Sequence, residues 1–140
     1  MSDLLVPYDN SPSAQRALDH ALALASARSG TRLQVLSVLG EVGIDTRELV
    51  DAAEIDRVLA AEAAAMIDPA RARVASTGIA CTYHSASGVP ARVIADHARS
   101  HGVGEIVMGT RGLGAIPGLL LGSVAQRVLQ LADCPVTLVK

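Results

Sequence analysis

The chain has 140 residues, half of them apolar, and a formal net charge of −2. That length supports one domain with a sizeable core; the apolar fraction argues against disorder, and the slight acidity argues against a nucleic-acid binder held by phosphate contacts. Phe and Trp are absent, Tyr8 and Tyr83 are the two tyrosines, and Lys140 is the single lysine beside eleven arginines, so the core must be Ala, Val, Leu and Ile with Met as filler, with almost nothing from which to build an aromatic platform for stacking bases.

Strand and helix patterns alternate along the whole chain. Residues 4–7, Leu-Leu-Val-Pro, read as a short buried strand stopped by Asp9, Asn10, Ser11 and Pro12. Ser11 suits a helix N-cap and Pro12 the first helical position. Ala14, Ala17, Leu18, Ala21, Leu22 and Ala25 then recur at three and four residues, predicting an amphipathic helix that ends near Gly30. A second strand is expected over 33–39. A longer helix is expected over 45–68, turning Leu49, Ala52, Ala53, Val58, Leu59, Ala63 and Met66 inward. Pro69 is expected to break or kink it, because proline lacks the N–H and clashes one turn back, with helix resuming to about Ala75.

A third strand is expected over 79–84. Pro90 opens a helix with Val93, Ile94 and Ala98 inward, ending near Gly102. A fourth strand is expected over 105–108, a last helix from Gly122 or Ser123 with Val124, Val128 and Leu131 inward, and a final strand over 135–139. Strands separated by helices pair in parallel through right-handed crossovers. The expected fold is therefore α/β: one domain over 1–140 with an open five-stranded parallel sheet, helices on both faces, Rossmann-like.

In such sheets ligands bind beyond the carboxyl ends of the strands, where the strand order reverses. Two segments qualify: Pro7, Tyr8 and Asp9 after the first strand, and residues 109–123 after the fourth. Gly109, Thr110, Arg111 and Gly112 are separated by nine residues from the pair Gly122-Ser123. Gly109 and Gly112 are read as allowing positive φ and close backbone approach to a ribose or phosphate. Gly122 and Ser123 open a helix, whose first N–H groups and dipole favour an anion. Asp9 can accept hydrogen bonds from ribose hydroxyls or base atoms. Without aromatic residues, an adenine ring needs aliphatic walls such as Val38 and Met108. The glycine spacing is neither the dinucleotide GxGxxG motif nor a P-loop, which needs a lysine beside the phosphates. Taken alone, the pattern also fits a plain turn followed by a capped helix.

Three stretches together resemble the universal stress protein family over nearly the whole length: Leu5-Val-Pro-Tyr-Asp-Asn-Ser11, Gly88-Val-Pro-Ala-Arg-Val-Ile94, and Ile106-Val-Met-Gly-Thr-Arg-Gly112 with Leu121-Gly-Ser-Val124. The last matches the Gly-2x-Gly-9x-Gly-Ser/Thr signature of that family's ATP-binding branch. The resemblance implies that Pro7, Tyr8 and Asp9 lie at the adenosine, with Val38 beside the base. It implies that Met108, Gly109 and Gly112 line the ribose and first phosphate, and that Gly122, Ser123 and Val124 hold the phosphates. Arg111 stands at a variable position that can add charge toward phosphate. ATP with Mg²⁺ is the implied ligand, and the implied fold is of the adenine nucleotide alpha hydrolase kind.

The resemblance further implies a homodimer through the last strand, whose apolar residues 136–139 otherwise form an open edge, and a nucleotide-dependent regulator or sensor in stress response, with an unidentified protein partner. Three alternatives stay open: a slow ATPase, a binder of AMP or cyclic AMP, and a structural stress-induced dimer without nucleotide. Two departures from the family pattern stand out. Asn10 occupies a position where many members have Gly, and Tyr8 is bulkier than usual there.

The other chemistry-bearing residues read as structural. Cys81 and Cys134 form no CxxC pair and are expected to be small buried hydrophobes in a reduced, cytoplasmic setting. Ser2 and Asp3 lead straight into an apolar run without a signal-peptide pattern. The nearly uncharged run 113–125 contains Pro117 and three glycines and is too short and broken to span a bilayer. His20 lies on the first helix; His84, His97 and His101 flank the third. His97 and His101 are spaced i, i+4, as metal ligands can be, but no Cys or acid completes a set, so they read as surface residues near a helix C-terminus and no metal ligand is assigned. Ser11 lacks a nucleophile-elbow motif for a triad. Arg71 and Arg73 are expected on a solvated face, and the run Leu119, Leu120, Leu121 at the entry to the last helix.

Overall fold

The computed structural model of the protein describes residues 2–40, 51–111, 118 and 121–140. Its elements are β1 (Leu4–Pro7), α1 (Pro12–Ala27), β2 (Leu33–Leu39), α2 (Ala52–Ala75), β3 (Cys81–Ser87), α3 (Pro90–Ser100), β4 (Glu105–Gly109), α4 (Ser123–Leu131) and β5 (Val136–Val139). The five strands form one parallel sheet in the order β3-β2-β1-β4-β5. This is an open, Rossmann-like α/β architecture.

Both faces of the central strands are covered, which is why β1 is a continuous apolar run rather than an alternating one. Leu4, Val6, Leu33, Val35 and Val107 pack with the apolar stripe of α1 and with Ala70 and Val74 of α2. Leu5, Leu36, Ile106 and Met108 pack with Ala91, Ile94 and Ala98 of α3 and Ala125 and Val128 of α4. Each fully buried Leu, Ile or Val contributes about 1.5–3 kcal/mol relative to exposure. This two-faced core holds β1 and β4 rigidly side by side, with Leu4 opposite Glu105 and Leu5 opposite Ile106.

α1 begins as expected. Ser11 is the N-cap, its Oγ accepting the Ala14 N–H at 3.1 Å, and Pro12 follows it. The helix stops at Ala27, before the left-handed Gly30. α2 opens at Asp51, whose carboxylate accepts the Ala53 N–H at 3.2 Å; the expected start over 45–50, with Leu49, lies outside the described residues.

The expected break at Pro69 does not occur, and α2 runs unbroken to Ala75. Ala63, Ile67, Ala70 and Val74 form one buried stripe on both sides of the proline, and this packing outweighs a missing backbone hydrogen bond. The stripe also corrects the expected inward face: Ala53 and Val58 are exposed, and Leu59 and Met66 are half-buried. Arg73 is not simply solvated. It donates to the Asp19 carboxylate at 2.7–2.8 Å and to Gln15 Oε1 at 3.2 Å, tying α2 to α1. Arg71 lies over the Tyr83 ring, 4.1 Å from its centroid.

β3 runs over Cys81–Ser87 rather than 79–84. As an edge strand it takes its length from its partner, pairing in step from Cys81 with Leu33 to Ser87 with Leu39. In α4 the buried residues are Ala125 and Val128, whereas Val124 is 36% exposed rather than inward. Cys81 and Cys134 are free and half-buried rather than fully enclosed, and burial raises both thiol pKa values. No helix among the described residues is long and apolar enough to cross a membrane.

Candidate functional site

The strand order reverses between β1 and β4, so the chain leaving each strand enters the same crevice. On the β1 side, Asp9 accepts the Ser11 N–H on Oδ1 at 3.0 Å, closing the turn into α1. Asn10 sits in the left-handed region with φ of 63°. That conformation explains the glycine preferred here in the family pattern, and Asn is among the few other residues that tolerate it. Its Oδ1 accepts the Tyr8 phenol at 2.8 Å, and its carbonyl accepts from Gln15 Nε2 at 3.1 Å. The turn is thus held from three directions.

On the β4 side, Gly109 plays a different role from the expected one. It is not among the positive-φ residues; instead, a Cβ there would lie 2.8 Å from the Ser13 carbonyl carbon and 3.0 Å from the Ala14 nitrogen, and would overlap Ser13 Oγ. The missing side chain lets the end of β4 press against the first turn of α1. Beyond it, the Thr110 N–H donates to the Val139 carbonyl at 2.9 Å and the Arg111 N–H to Ser13 Oγ at 3.4 Å, while Ser11 Oγ donates to the Arg111 carbonyl at 3.5 Å. Gly122 donates its N–H to the Thr110 carbonyl at 2.6 Å, which brings the start of α4 back to the end of β4.

Gly122 is the N-cap of α4 and, having no side chain, makes no side-chain cap. The first intrahelical bond runs from the Gln126 N–H to the Gly122 carbonyl. The N–H groups of Ser123, Val124 and Ala125 therefore precede the helix's own acceptors and point toward the crevice end, where they suit an anion. Ser123 and Val124 are exposed there, as is Arg111.

Strand alternation puts Pro7, Val38 and Met108 on the α3–α4 face at the carboxyl ends of three adjacent strands, with Val38 and Met108 joining that face's core. They make an aliphatic wall beside the crevice. Tyr8 faces the other way: its ring is 3% exposed within the α1–α2 core, and burial raises its pKa. Of the sequence-predicted residues, the structure brings together Pro7, Asp9, Val38, Met108, Gly109, Arg111, Gly122, Ser123 and Val124. It directs the Tyr8 ring away, and Gly112 lies outside the described residues, as do Leu119 and Leu120. Ser13 and Thr110, which tie the two sides together, were not singled out in the sequence; two serines flanking Pro12 offered a signal only for capping.

A second cluster lies at the opposite, amino end of the strands. His84 of β3 sits against His97 and His101 of α3, with ring centroids 4.8 and 5.4 Å away, and the two helix rings stack at 3.8 Å. The i, i+4 spacing was legible, and the alternation that turns Thr82, His84 and Ala86 toward α3 could have supplied the third member.

The model of the universal stress protein family matches residues 1–140. Universal stress protein YxiE of Bacillus subtilis is 32% identical over 145 aligned residues, covering 98% of this chain and 97% of the relative. The structure of the universal stress protein UspA from Lactobacillus plantarum superposes with a TM-score of 0.86 at 29% identity, covering 99% of this chain and 97% of that one. A universal stress protein in complex with cAMP gives a TM-score of 0.76 at 26% identity, over 99% and 97% of the two chains. The Archaeoglobus fulgidus protein in complex with dAMP gives 0.72 at 25%, over 100% and 98%. The chain belongs to the universal stress protein family.

Proposed function

We propose that the crevice between β1 and β4 binds an adenine nucleotide, with ATP and Mg²⁺ as the physiological form, and that the protein acts as a nucleotide-dependent regulator in the cytoplasm. The observation that carries this reading is the return of the α4 N-terminus to the end of β4 through the bond from the Gly122 N–H to Thr110. It sets a group of N–H donors across from Asp9 and beside an aliphatic wall. Phosphate charge fits the α4 donors and the neighbouring Arg111. Ribose hydroxyls fit the Asp9 carboxylate, and a purine fits Pro7, Val38 and Met108. The cAMP and dAMP complexes of the two relatives support the adenine class of ligand.

Mg²⁺ would be carried by phosphate oxygens and water; the residues around the α4 terminus offer N–H and hydroxyl donors, which suit the phosphates rather than the metal. Among the described residues, Asp9 is the acid at this end of β1 and β4, and its carboxylate already accepts the Ser11 N–H. The reading is therefore sensing rather than turnover: occupancy changes a surface offered to a partner or to a second copy at the apolar edge of β5.

Titration calorimetry of the full chain with ATP and Mg²⁺ tests the site. Saturable binding is expected, weakened at least about tenfold, or 1.4 kcal/mol, by Ser123→Ala combined with Gly122→Ala. Undiminished binding in that variant would overturn the site. Multiple-turnover phosphate release by the wild type would replace the sensing reading with an ATPase. Because the two ligands named for the relatives are monophosphates, a second reading is an AMP-class ligand. It is favoured if cAMP or AMP displaces ATP at equal concentration.

A further inference from the structure

We infer that His84, His97 and His101 form a binding site for one divalent, imidazole-preferring transition metal, Zn²⁺ being the natural probe, at the edge of the sheet opposite the crevice. Their three donor nitrogens all lie within 4.8 Å of one another. A tetrahedral Zn²⁺ with nitrogens at about 2.0–2.1 Å holds its donors about 3.3 Å apart. The nitrogens thus need to draw together by about 1.5 Å, and the His101 ring, now stacked on His97 at 13°, has to turn so that the in-plane lone pairs converge; His101 is exposed and His84 half-buried, which leaves room for that adjustment.

The hydrogen bonds orient the lone pairs. Gln34 Nε2 donates to the Asp3 carboxylate at 2.8 Å, so Gln34 Oε1 faces His97 Nε2 at 2.8 Å as an acceptor. His97 therefore carries its proton on Nε2 and keeps a lone pair on Nδ1. His101 Nδ1 lies 3.0 Å from the His97 carbonyl, which can only accept, so its Nε2 is the lone-pair nitrogen. His84 Nε2 pairs with Thr82 Oγ1 at 3.0 Å, which leaves Nδ1 for the metal when Nε2 donates. A chain from Arg32 through Asp3 and Gln34 to His97 is the kind of outer shell that fixes a ligating imidazole.

Two further features fit a cation. The site lies at the C-terminal end of α3, the negative end of its dipole. The cluster also borders a depression of about 440 Å³ lined in part by Asp3, Arg32 and Thr82, with room for a water or small anion at a fourth position. Three nitrogen donors with an open position suit Zn²⁺, and also Cu²⁺ and Ni²⁺.

The test uses the full chain stripped with a chelator and titrated with Zn²⁺ by calorimetry, with Co²⁺ absorbance reporting coordination. One metal per chain is expected. His101→Ala, at an exposed position that leaves the fold intact, and His84→Ala each weaken binding at least about tenfold, while His20→Ala changes nothing. Absence of saturable one-to-one binding, or equal affinity in wild type and His101→Ala, would overturn the proposal. Imidazole nitrogen NMR gives an independent reading: on adding Zn²⁺, His84, His97 and His101 shift and His20 does not, and a shift confined to His20 would refute the assignment.

Discussion

Gly109→Ala tests how the crevice is assembled. The added Cβ would meet the Ser13 carbonyl carbon at 2.8 Å and the Ala14 nitrogen at 3.0 Å, besides overlapping Ser13 Oγ. Two of these are backbone atoms of the first turn of α1, so relief requires moving the helix or the end of β4. Overpacking of this kind costs about 1–3 kcal/mol. Displacing Ser13 Oγ also removes its long hydrogen bond from the Arg111 N–H, worth about 0.5 kcal/mol. The expected loss is about 2–3 kcal/mol, or a Tm lowered by roughly 7–10 °C at this length.

Urea denaturation followed by circular dichroism, with an unchanged m-value, measures it. Gly40→Ala is the control, because a Cβ there meets nothing within 4 Å; it should leave stability within about 0.5 kcal/mol or raise it slightly. Adding Ser13→Ala to Gly109→Ala removes one of the three clashes, and the pair should couple by about 1 kcal/mol. A loss below about 0.5 kcal/mol for Gly109→Ala would refute the close approach of β4 to α1.

Three further outcomes follow from local geometry. Asn10→Ala should destabilise by about 1–3 kcal/mol in chemical denaturation, through left-handed strain and the lost Tyr8 bond, and Asn10→Gly should cost less because the strain is absent. Pro69→Ala should raise stability by about 1–2 kcal/mol, since it restores a helix N–H inside an unbroken α2; a decrease would contradict the continuous helix. Burial, then the hydrogen bond and charge of Cys81, raise the Tyr83 pKa to about 12. Its unfolded value is near 10, so its contribution to stability is full below pH 10 and is lost as pH rises through about 12; ultraviolet titration of Tyr8→Phe, which leaves Tyr83 alone, should show a midpoint near 12, and a midpoint near 10 would contradict the burial of Tyr83.

The parts of the fold that local chemistry controls were legible in the sequence. Ser11 and Pro12 mark the start of α1 because cap and first-turn preferences are local, and β1, β2 and β4 stand out as apolar runs because both of their faces are buried. What failed depended on partners far along the chain. Pro69 looked like a break because its cost is local whereas the stripe that holds α2 together is tertiary. The length of β3 came from its pairing with β2 rather than from its own residues. Val124 pointed inward by spacing alone, but the phase of α4 is set where Gly122 bonds Thr110.

In the candidate site, the residue types at Asp9, Met108, Gly122 and Ser123 were readable from motif and position. The reason for Gly109 was not: its spacing suggested backbone freedom, and the contact with Ser13 spans almost a hundred positions. His97 and His101 advertised a shared helix face, whereas His84 joined them only through the packing of β3 against α3.

The most direct measurement is amide NMR of the full chain titrated with ATP and Mg²⁺. Binding in the crevice predicts the largest shifts at Tyr8, Asp9, Asn10, Ser11, Gly109, Thr110, Arg111, Ser123, Val124 and Ala125, with His84, His97 and His101 unmoved. Shifts centred on the β3–α3 edge, or none at saturating nucleotide, would contradict a nucleotide site between β1 and β4.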